Sequence, residues 1–190
     1  MTTATQAIPT MYRGTQFRSR LEATWAAFFD ILEWPWKYEP VDLKGYIPDF
    51  VLPFDWASLL IEVKPAVCFE ELDQYTGTIE RSGWTNDALI VGAGIMRADL
   101  VPDPYPIIGL LSQRDFYEDQ RADWCWDAGL MHYCLKCNRV SIHHSSQSWN
   151  CYRCGAYEGN SLLGFLEGNS ASIWWAHAQN QTQWRRPRVR

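Results

Sequence analysis

Apolar residues recur at helical spacing near the start of the chain, where Phe17, Leu21, Phe28 and Leu32 fall on one stripe. The spacing predicts a helix over 17–33. Trp34-Pro35-Trp36 ends it, because proline cannot continue the hydrogen-bond ladder. A short strand is expected over 37–39. Residues 46–52 read as a second strand, with Gly45 before it and Pro53 after it. Residues 58–64 read as a third, centred on Leu59-Leu60-Ile61, and the last two form a hairpin across 53–57. Pro65 stops that strand, and 69–81 suits a helix with Gly83 beyond its end. Buried strands are expected over 88–91 and 107–111. Helix, strands, helix, strand, strand predicts an α/β fold with a mixed sheet flanked by helices.

The pattern changes near Trp124. Residues 130–158 are rich in Cys, His, Ser and Asn and too poor in aliphatics to bury a core of their own. A last helix is expected over 170–184, capped by Ser170, with Ile173, Trp174, His177 and Trp184 packing it back on the core. Three units follow: a core over 11–125, a small Cys-rich unit over 130–158, and a C-terminal helix with a basic tail over 168–190. Residues 1–10 read as a loose leader.

Charge sharpens this organisation. The net charge is −5, and four arginines among the last six residues carry +4, leaving −9 for the remainder. That argues against a generally basic nucleic-acid coat and leaves room for a local phosphate-binding surface at the tail or at Arg13, Arg18 and Arg20. The 11 tryptophans are expected mainly in the core. The first residues lack a secretory pattern, and no apolar run approaches a membrane span. The expected location is the cytoplasm.

Chemistry concentrates in two places. On a strand, residues two apart share a face, so Glu62 and Lys64 project together while Val63 points inward. Asp49, on the neighbouring strand, comes beside Glu62. Two carboxylates and the Val63 carbonyl make an oxygen-rich site suited to Mg²⁺ or Mn²⁺. Lys64 would orient a nucleophile or stabilise charge on phosphorus. Structural alternatives stand beside this reading. Glu22 pairs with Arg18 one turn away, Asp49 caps a turn, Glu62 and Lys64 form an exposed strand pair, and Glu39 is a surface residue held in reserve as a ligand.

The second place is Cys134-Leu135-Lys136-Cys137 with Cys151-Tyr152-Arg153-Cys154, two C-x2-C knuckles separated by 13 residues. Four thiolates complete a closed tetrahedral site, which suits a structural Zn²⁺ in a zinc ribbon. Gly155 fits the knuckle turn. His132, His143 and His144 are nearby substitutes for a thiolate. Cys68 and Cys125 are expected to be buried. Lys136, Arg139 and Arg153, with Tyr133, Trp149 and Tyr152, offer cations and aromatic faces that either grip nucleic acid or pack a lid on the core.

Taken together, Tyr12-Arg13-Gly14, the run Phe17-Arg18-Ser19-Arg20-Leu21-Glu22-Ala23, Tyr38-Glu39-Pro40, Pro48-Asp49-Phe50 and Glu62-Val63-Lys64-Pro65 resemble the PD-(D/E)XK nuclease superfamily, in the compact form common in bacteriophages. The resemblance covers about 12–111. It implies a restriction-endonuclease-like fold and metal-dependent hydrolysis of nucleic acid, here expected to be DNA. It carries over Glu22 as the helix carboxylate, Asp49 and Glu62 as metal ligands, and Lys64 as the catalytic lysine. RecB-like members carry Gln-x-x-x-Tyr after the lysine, whereas Gln74 and Tyr75 are adjacent here, which favours an endonuclease over a processive exonuclease. The alternative is a nuclease-fold module with little or no turnover that binds nucleic acid or a host protein, as a phage factor in a host cytoplasm would. A homodimer is a further partner option.

Overall fold

The structure is a computed structural model that describes residues 7–55, 57–96, 105–114, 124–146, 150–157, 163–166 and 169–183. Strands β1 (Thr10–Tyr12) and β2 (Thr15–Phe17) form a small hairpin ahead of helix α1 (Arg20–Ile31). Then come β3 (Lys37–Tyr38), β4 (Phe50–Pro53) and β5 (Ser58–Val63), a 3₁₀ helix (Phe69–Tyr75), α2 (Thr76–Arg81), β6 (Ala88–Met96) and β7 (Ile107–Arg114). β8 (Trp124–Cys134), β9 (Arg139–His144), β10 (Leu163–Gly164) and α3 (Ser170–Gln181) complete it. Eight strands make one mixed sheet, ordered β10-β8-β7-β6-β5-β4-β3, with β9 on the other edge of β8. Among the described residues only the β5–β6 pair is parallel; the crossover between them carries the 3₁₀ helix and α2. The α/β class and the mixed sheet are as the pattern predicts. No helix among the described residues is long and apolar enough to cross a membrane.

Alternation along the strands divides the core. Leu59, Ile61, Val63, Leu89, Val91 and Leu111 face α1 and α3, while Leu60, Ala88, Ile90 and Leu110 face the 3₁₀ helix and α2 through Leu72 and Ile79. Close approach of β6 and β7 requires Gly109, since a Cβ there would come within 2.2 Å of the Ile90 carbonyl oxygen. The register of β7 shifts beside it, between Ile107 and Gly109.

α1 is shorter than the apolar spacing predicts. Phe17 belongs to β2, because the Arg13-Gly14 pair has positive φ at both positions (45° and 81°) and turns the chain as a two-residue hairpin loop. The helix starts at the Ser19 cap, whose hydroxyl accepts from the Glu22 amide at 3.1 Å. It ends before Pro35. Glu33 turns left-handed (φ 56°) and its amide donates to the Asp30 carbonyl. The Trp34 amide donates to the Phe29 carbonyl at 2.8 Å, and the two rings stack. These are the paired bonds and apolar contact of a Schellman stop. Every residue from Glu22 to Phe29 is buried, so the helix is covered nearly all round.

Three further elements differ from expectation. The 69–81 helix is a 3₁₀ turn running into a short α-helix. The Asp49 strand begins only at Phe50. α3 is capped by Asn169, and its buried face is Ala171, Trp175 and Ala178, whereas Ile173 and His177 are exposed. Trp175 packs on Trp25 at 4.6 Å between ring centroids. Trp149, Trp184, the arginines at 185, 186, 188 and 190, and most of the leader at 1–10 lie outside the described residues.

The Cys-rich stretch is no separate layer. β8 runs unbroken from Trp124 through the 125–130 junction to Cys134, with β7 pairing its first half and β9 its second. Its lack of aliphatics is answered by lodging its strands in the main sheet.

Candidate metal centres and their surroundings

The Asp49 and Glu62 side chains are brought together by the β4–β5 hairpin. Phe50 pairs with Ile61, so extending that register by one residue sets Asp49 opposite Glu62. Both are buried, at 4% and 8% exposure. Asp49 accepts from the Val63 amide through Oδ2 at 2.7 Å and from the Arg18 guanidinium through Oδ1 at 2.5 Å. Glu62 accepts from the Lys64 ammonium through Oε1 at 2.6 Å and from the Tyr46 hydroxyl through Oε2 at 2.7 Å. Lys64 lies 5.2 Å from the Tyr75 ring centroid. Val63 thus offers its amide to the carboxylate.

Glu22 sits on the first turn of α1, where its amide donates to the capping Ser19 hydroxyl. Its carboxylate accepts from the Ser19 hydroxyl at 2.8 Å, the Arg18 amide at 3.2 Å and the Tyr38 hydroxyl at 2.6 Å. Arg18 links it to the pair, reaching Asp49, Glu39 at 2.9 Å and Glu22 at 3.9 Å. Glu39 is held there by its left-handed backbone (φ 45°), with its amide donating to the Asp49 carbonyl. Arg18, Tyr38 and Tyr46 therefore belong to the site; the sequence singles out Arg18 as a partner of Glu22 and a phosphate-binding candidate, and gives the two tyrosines no role. Their signal was the aromatic and basic neighbours of each acidic motif.

Charge is the dominant feature here. Four carboxylates (Glu22, Glu39, Asp49, Glu62) face two cations (Arg18, Lys64), an excess of two negative charges when all are ionised. Burial, then the Glu62 charge, push the Asp49 carboxyl up to about 7. Burial and Glu62 also push the Tyr46 phenol well above its ordinary range, so it stays a donor. These hard oxygen donors and this charge excess fit a divalent cation in chemistry. Their spacing is looser. Among the described residues, only the thiols group three or more donors within 4.8 Å of one another.

Those thiols are Cys134, Cys137, Cys151 and Cys154. Cys134 Sγ lies 4.0 Å from Cys154 Sγ, and Cys137 Sγ lies 3.8 Å from Cys151 Sγ. A tetrahedron with Zn–S bonds of about 2.3 Å has S···S edges of about 3.8 Å, so the cluster fits structural zinc. Each knuckle turns through a left-handed residue, Asn138 (φ 55°) or Gly155 (φ 65°). The Asn138 amide donates to the Cys134 carbonyl, and the Gly155 amide to the Cys151 carbonyl. Burial disfavours the Cys134 thiolate, but the Cys137 and Lys136 amides, together with the Cys151 and Cys137 thiols, hold that thiol low. Burial and its neighbouring thiols push Cys137 up to about 12. As thiolates, four sulfurs this close would need a cation among them.

The histidines take no part in the quartet. His132 and His143 face each other through Nδ1 at 3.1 Å, and His144 Nε2 meets the Cys125 carbonyl at 3.0 Å. Burial pushes His132 down to about 3 and His143 to about 4, so both are neutral at pH 7. Cys68 and Cys125 are exposed, not buried. Tyr152 is a core residue. It is fully buried, donates to Asp87 Oδ2 at 2.5 Å and accepts from Gln113. Arg153 donates to the Glu33 carbonyl at 2.5 Å and lies over the Phe54 ring. The second knuckle thus clasps the end of α1 and the β4–β5 hairpin, while Lys136 and Arg139 remain exposed.

Comparison with family models, with curated proteins and with solved structures finds no match to this chain.

Proposed function

We propose that this protein is a Mg²⁺- or Mn²⁺-dependent nuclease that hydrolyses phosphodiester bonds in DNA, with a restriction-endonuclease-like core and a zinc ribbon held by Cys134, Cys137, Cys151 and Cys154. The observation that carries the reading is the buried, cross-strand Asp49–Glu62 pair with Lys64 on the same strand face and two negative charges in excess. Asp49 and Glu62 would hold the catalytic cation, which would polarise a phosphate and acidify a water. Lys64 places a positive charge where negative charge develops. Tyr46 fixes the orientation of Glu62, and Arg18 supplies a guanidinium suited to a phosphate oxygen. Glu22 acts at one remove, holding the Arg18 backbone and the Tyr38 hydroxyl.

The test is DNA cleavage with Mg²⁺ or Mn²⁺ by the wild type and by Asp49→Ala, Glu62→Ala and Lys64→Ala. Each variant is expected to lose about 10²–10⁴-fold in rate. Undiminished cleavage in all three would sink the assignment.

A second reading has its own support. Each oxygen of Asp49 and Glu62 already has a protein partner, an arrangement suited to a nuclease-fold module that binds nucleic acid or a host protein without turnover. Mn²⁺ titration separates the two: saturable binding lost in Asp49→Ala favours the enzyme, and no binding by the wild type favours the module.

A further inference from the structure

Three of the site's four carboxylates converge on one guanidinium. Arg18 Nη2 lies 2.5 Å from Asp49 Oδ1, and Arg18 Nε lies 2.9 Å from Glu39 Oε1 and 3.9 Å from Glu22 Oε2. These acids come from separate segments: the first turn of α1, the residue after β3 and the residue before β4. Glu39 reaches the guanidinium from a left-handed backbone (φ 45°), a conformation few non-glycine residues adopt. The chain thus gathers carboxylate oxygens from three segments around a cation of its own.

The groups that meet the Asp49 and Glu62 oxygens are not equally placed. The Val63 amide is fixed in the backbone of β5, and the Tyr46 hydroxyl and Lys64 ammonium hold Glu62. Of the two cations, Arg18 is the one that faces water: its side chain is 59% exposed, against 27% for Lys64. The Asp49 side chain it pairs with is only 6% exposed. Asp49 Oδ1 is therefore the oxygen of the pair whose partner lies on the solvent side.

Two cations cannot share that oxygen without strong repulsion. A Mg²⁺ ion binds a carboxylate oxygen at about 2.0–2.1 Å, which would press its charge against the guanidinium. Nor can the guanidinium simply be lost, since a buried carboxylate stripped of its counter-charge is strongly disfavoured. Exchange meets both conditions, with one cation arriving as the other leaves. A phosphate oxygen is a suitable new partner for a guanidinium fork, so a substrate phosphate would draw Arg18 off as the ion takes Asp49.

We propose that Arg18 is an internal competitor of the catalytic cation: its guanidinium holds the ion's place on Asp49, and a divalent ion binds that carboxylate only as the guanidinium moves off it. As a statement about regulation of the site, this rests on the nuclease reading of Asp49 as a cation ligand.

The experiment is Mn²⁺ titration of the full chain without nucleic acid, with free Mn²⁺ followed by electron paramagnetic resonance. The wild type is compared with Arg18→Gln and Arg18→Lys, and each with the same chain carrying Asp49→Ala. Arg18→Gln is expected to bind Mn²⁺ about tenfold tighter or more, and Asp49→Ala in that background to abolish the gain. Arg18→Lys keeps the charge and loses the fork, so its affinity should fall between the two. Thermal midpoints verify folding, and the lysine variant carries the test if the glutamine variant does not fold. A role confined to holding the carboxylates in place predicts the opposite sign, because loosened ligands bind an ion more weakly. Unchanged or weaker Mn²⁺ affinity in the folded variants overturns the proposal. Cleavage separates its failure from that of the nuclease reading. Wild-type Mn²⁺ binding and DNA cleavage that both need Asp49, with affinity unchanged by Arg18→Gln, remove the competitor and keep the nuclease. An Asp49-dependent gain in Arg18→Gln, with no Asp49-dependent cleavage of single-stranded or duplex DNA by the wild type, keeps the competitor and removes the nuclease.

Discussion

The thiol quartet and the carboxylate pair answer the same electrostatic problem in opposite ways. The four thiols are turned toward one another at the spacing of a tetrahedral ion, with Asn138 and Gly155 bending each knuckle to keep them there. The carboxylates are turned toward Arg18, Lys64, Tyr46 and the Val63 amide. One site could close a tetrahedron of four thiols around an ion and leave no room for a reactant. The other meets each carboxylate oxygen with a side chain or amide and still holds more carboxylates than cations. The two sites differ less in donor number than in what the donors face: one another in the quartet, and protein partners in the pair.

Removing the ion from the quartet breaks the comparison hardest. One zinc per chain is expected by elemental analysis, and Cys151→Ala or a strong chelator should lower the thermal midpoint by about 10 °C or more. Zinc-knuckle affinities of about 10–16 kcal/mol leave ample margin for such a loss. A metal-free preparation with an unchanged midpoint would refute it.

The pair should behave in the reverse sense, because its charge opposes folding. Burial, then the Glu62 charge, hold the folded Asp49 carboxyl at about 7, above the ordinary carboxylate range. Its favourable contribution is present below about pH 4 and is lost as pH rises through 7. Asp49→Asn keeps an acceptor for Val63 and removes the charge. It should be more stable than the wild type at pH 8, by on the order of 2 kcal/mol, and equal to it below pH 4. Urea melts across that range measure the gap; a gap that shrinks toward pH 8 contradicts the account. Cation binding at Asp49 should likewise tighten between pH 6 and 8, as the competing proton leaves.

Smaller effects sharpen the link between the regions. Arg153→Ala loses the bond to the Glu33 carbonyl and the contact with Phe54, and should cost about 1 kcal/mol without releasing zinc. Glu22→Gln should cost less, a few tenths to about 1 kcal/mol, since the Ser19 cap survives. A loss in cleavage much larger than the loss in stability would show that Glu22 acts in the reaction as well as in the cap.

The two regions also differ in how much of them the sequence reveals. A knuckle is local: C-x2-C and a following Gly or Asn nearly determine the turn, so all four thiols are legible from spacing. The Asp49–Glu62 pairing was legible because a hairpin's register follows from its strands. The Arg18–Glu22 pair was legible from its one-turn spacing, but Tyr38 and Tyr46 were not, since they come from separate segments and nothing periodic relates them to the acids. Phe17 misled for a related reason. Its spacing suits a helix, but the Arg13-Gly14 turn gives it to a hairpin. The Cys-rich unit looked separate because it lacks aliphatics, a deficit that a strand shared with the main sheet makes good.

Trp34 has one more consequence. A sheet that ends in a strand with free carbonyls invites a second chain to pair with it. At one margin β3 is only two residues long, too short to template anything. At the other, β9 spans six residues, but the Trp34 indole donates to the Val140 carbonyl at 3.0 Å, and the Ser141 hydroxyl accepts from the Tyr152 amide. The residue that closes α1 therefore also blunts the longer margin, and Trp34→Phe, which keeps the ring and drops the donor, should make the protein prone to edge-to-edge aggregation.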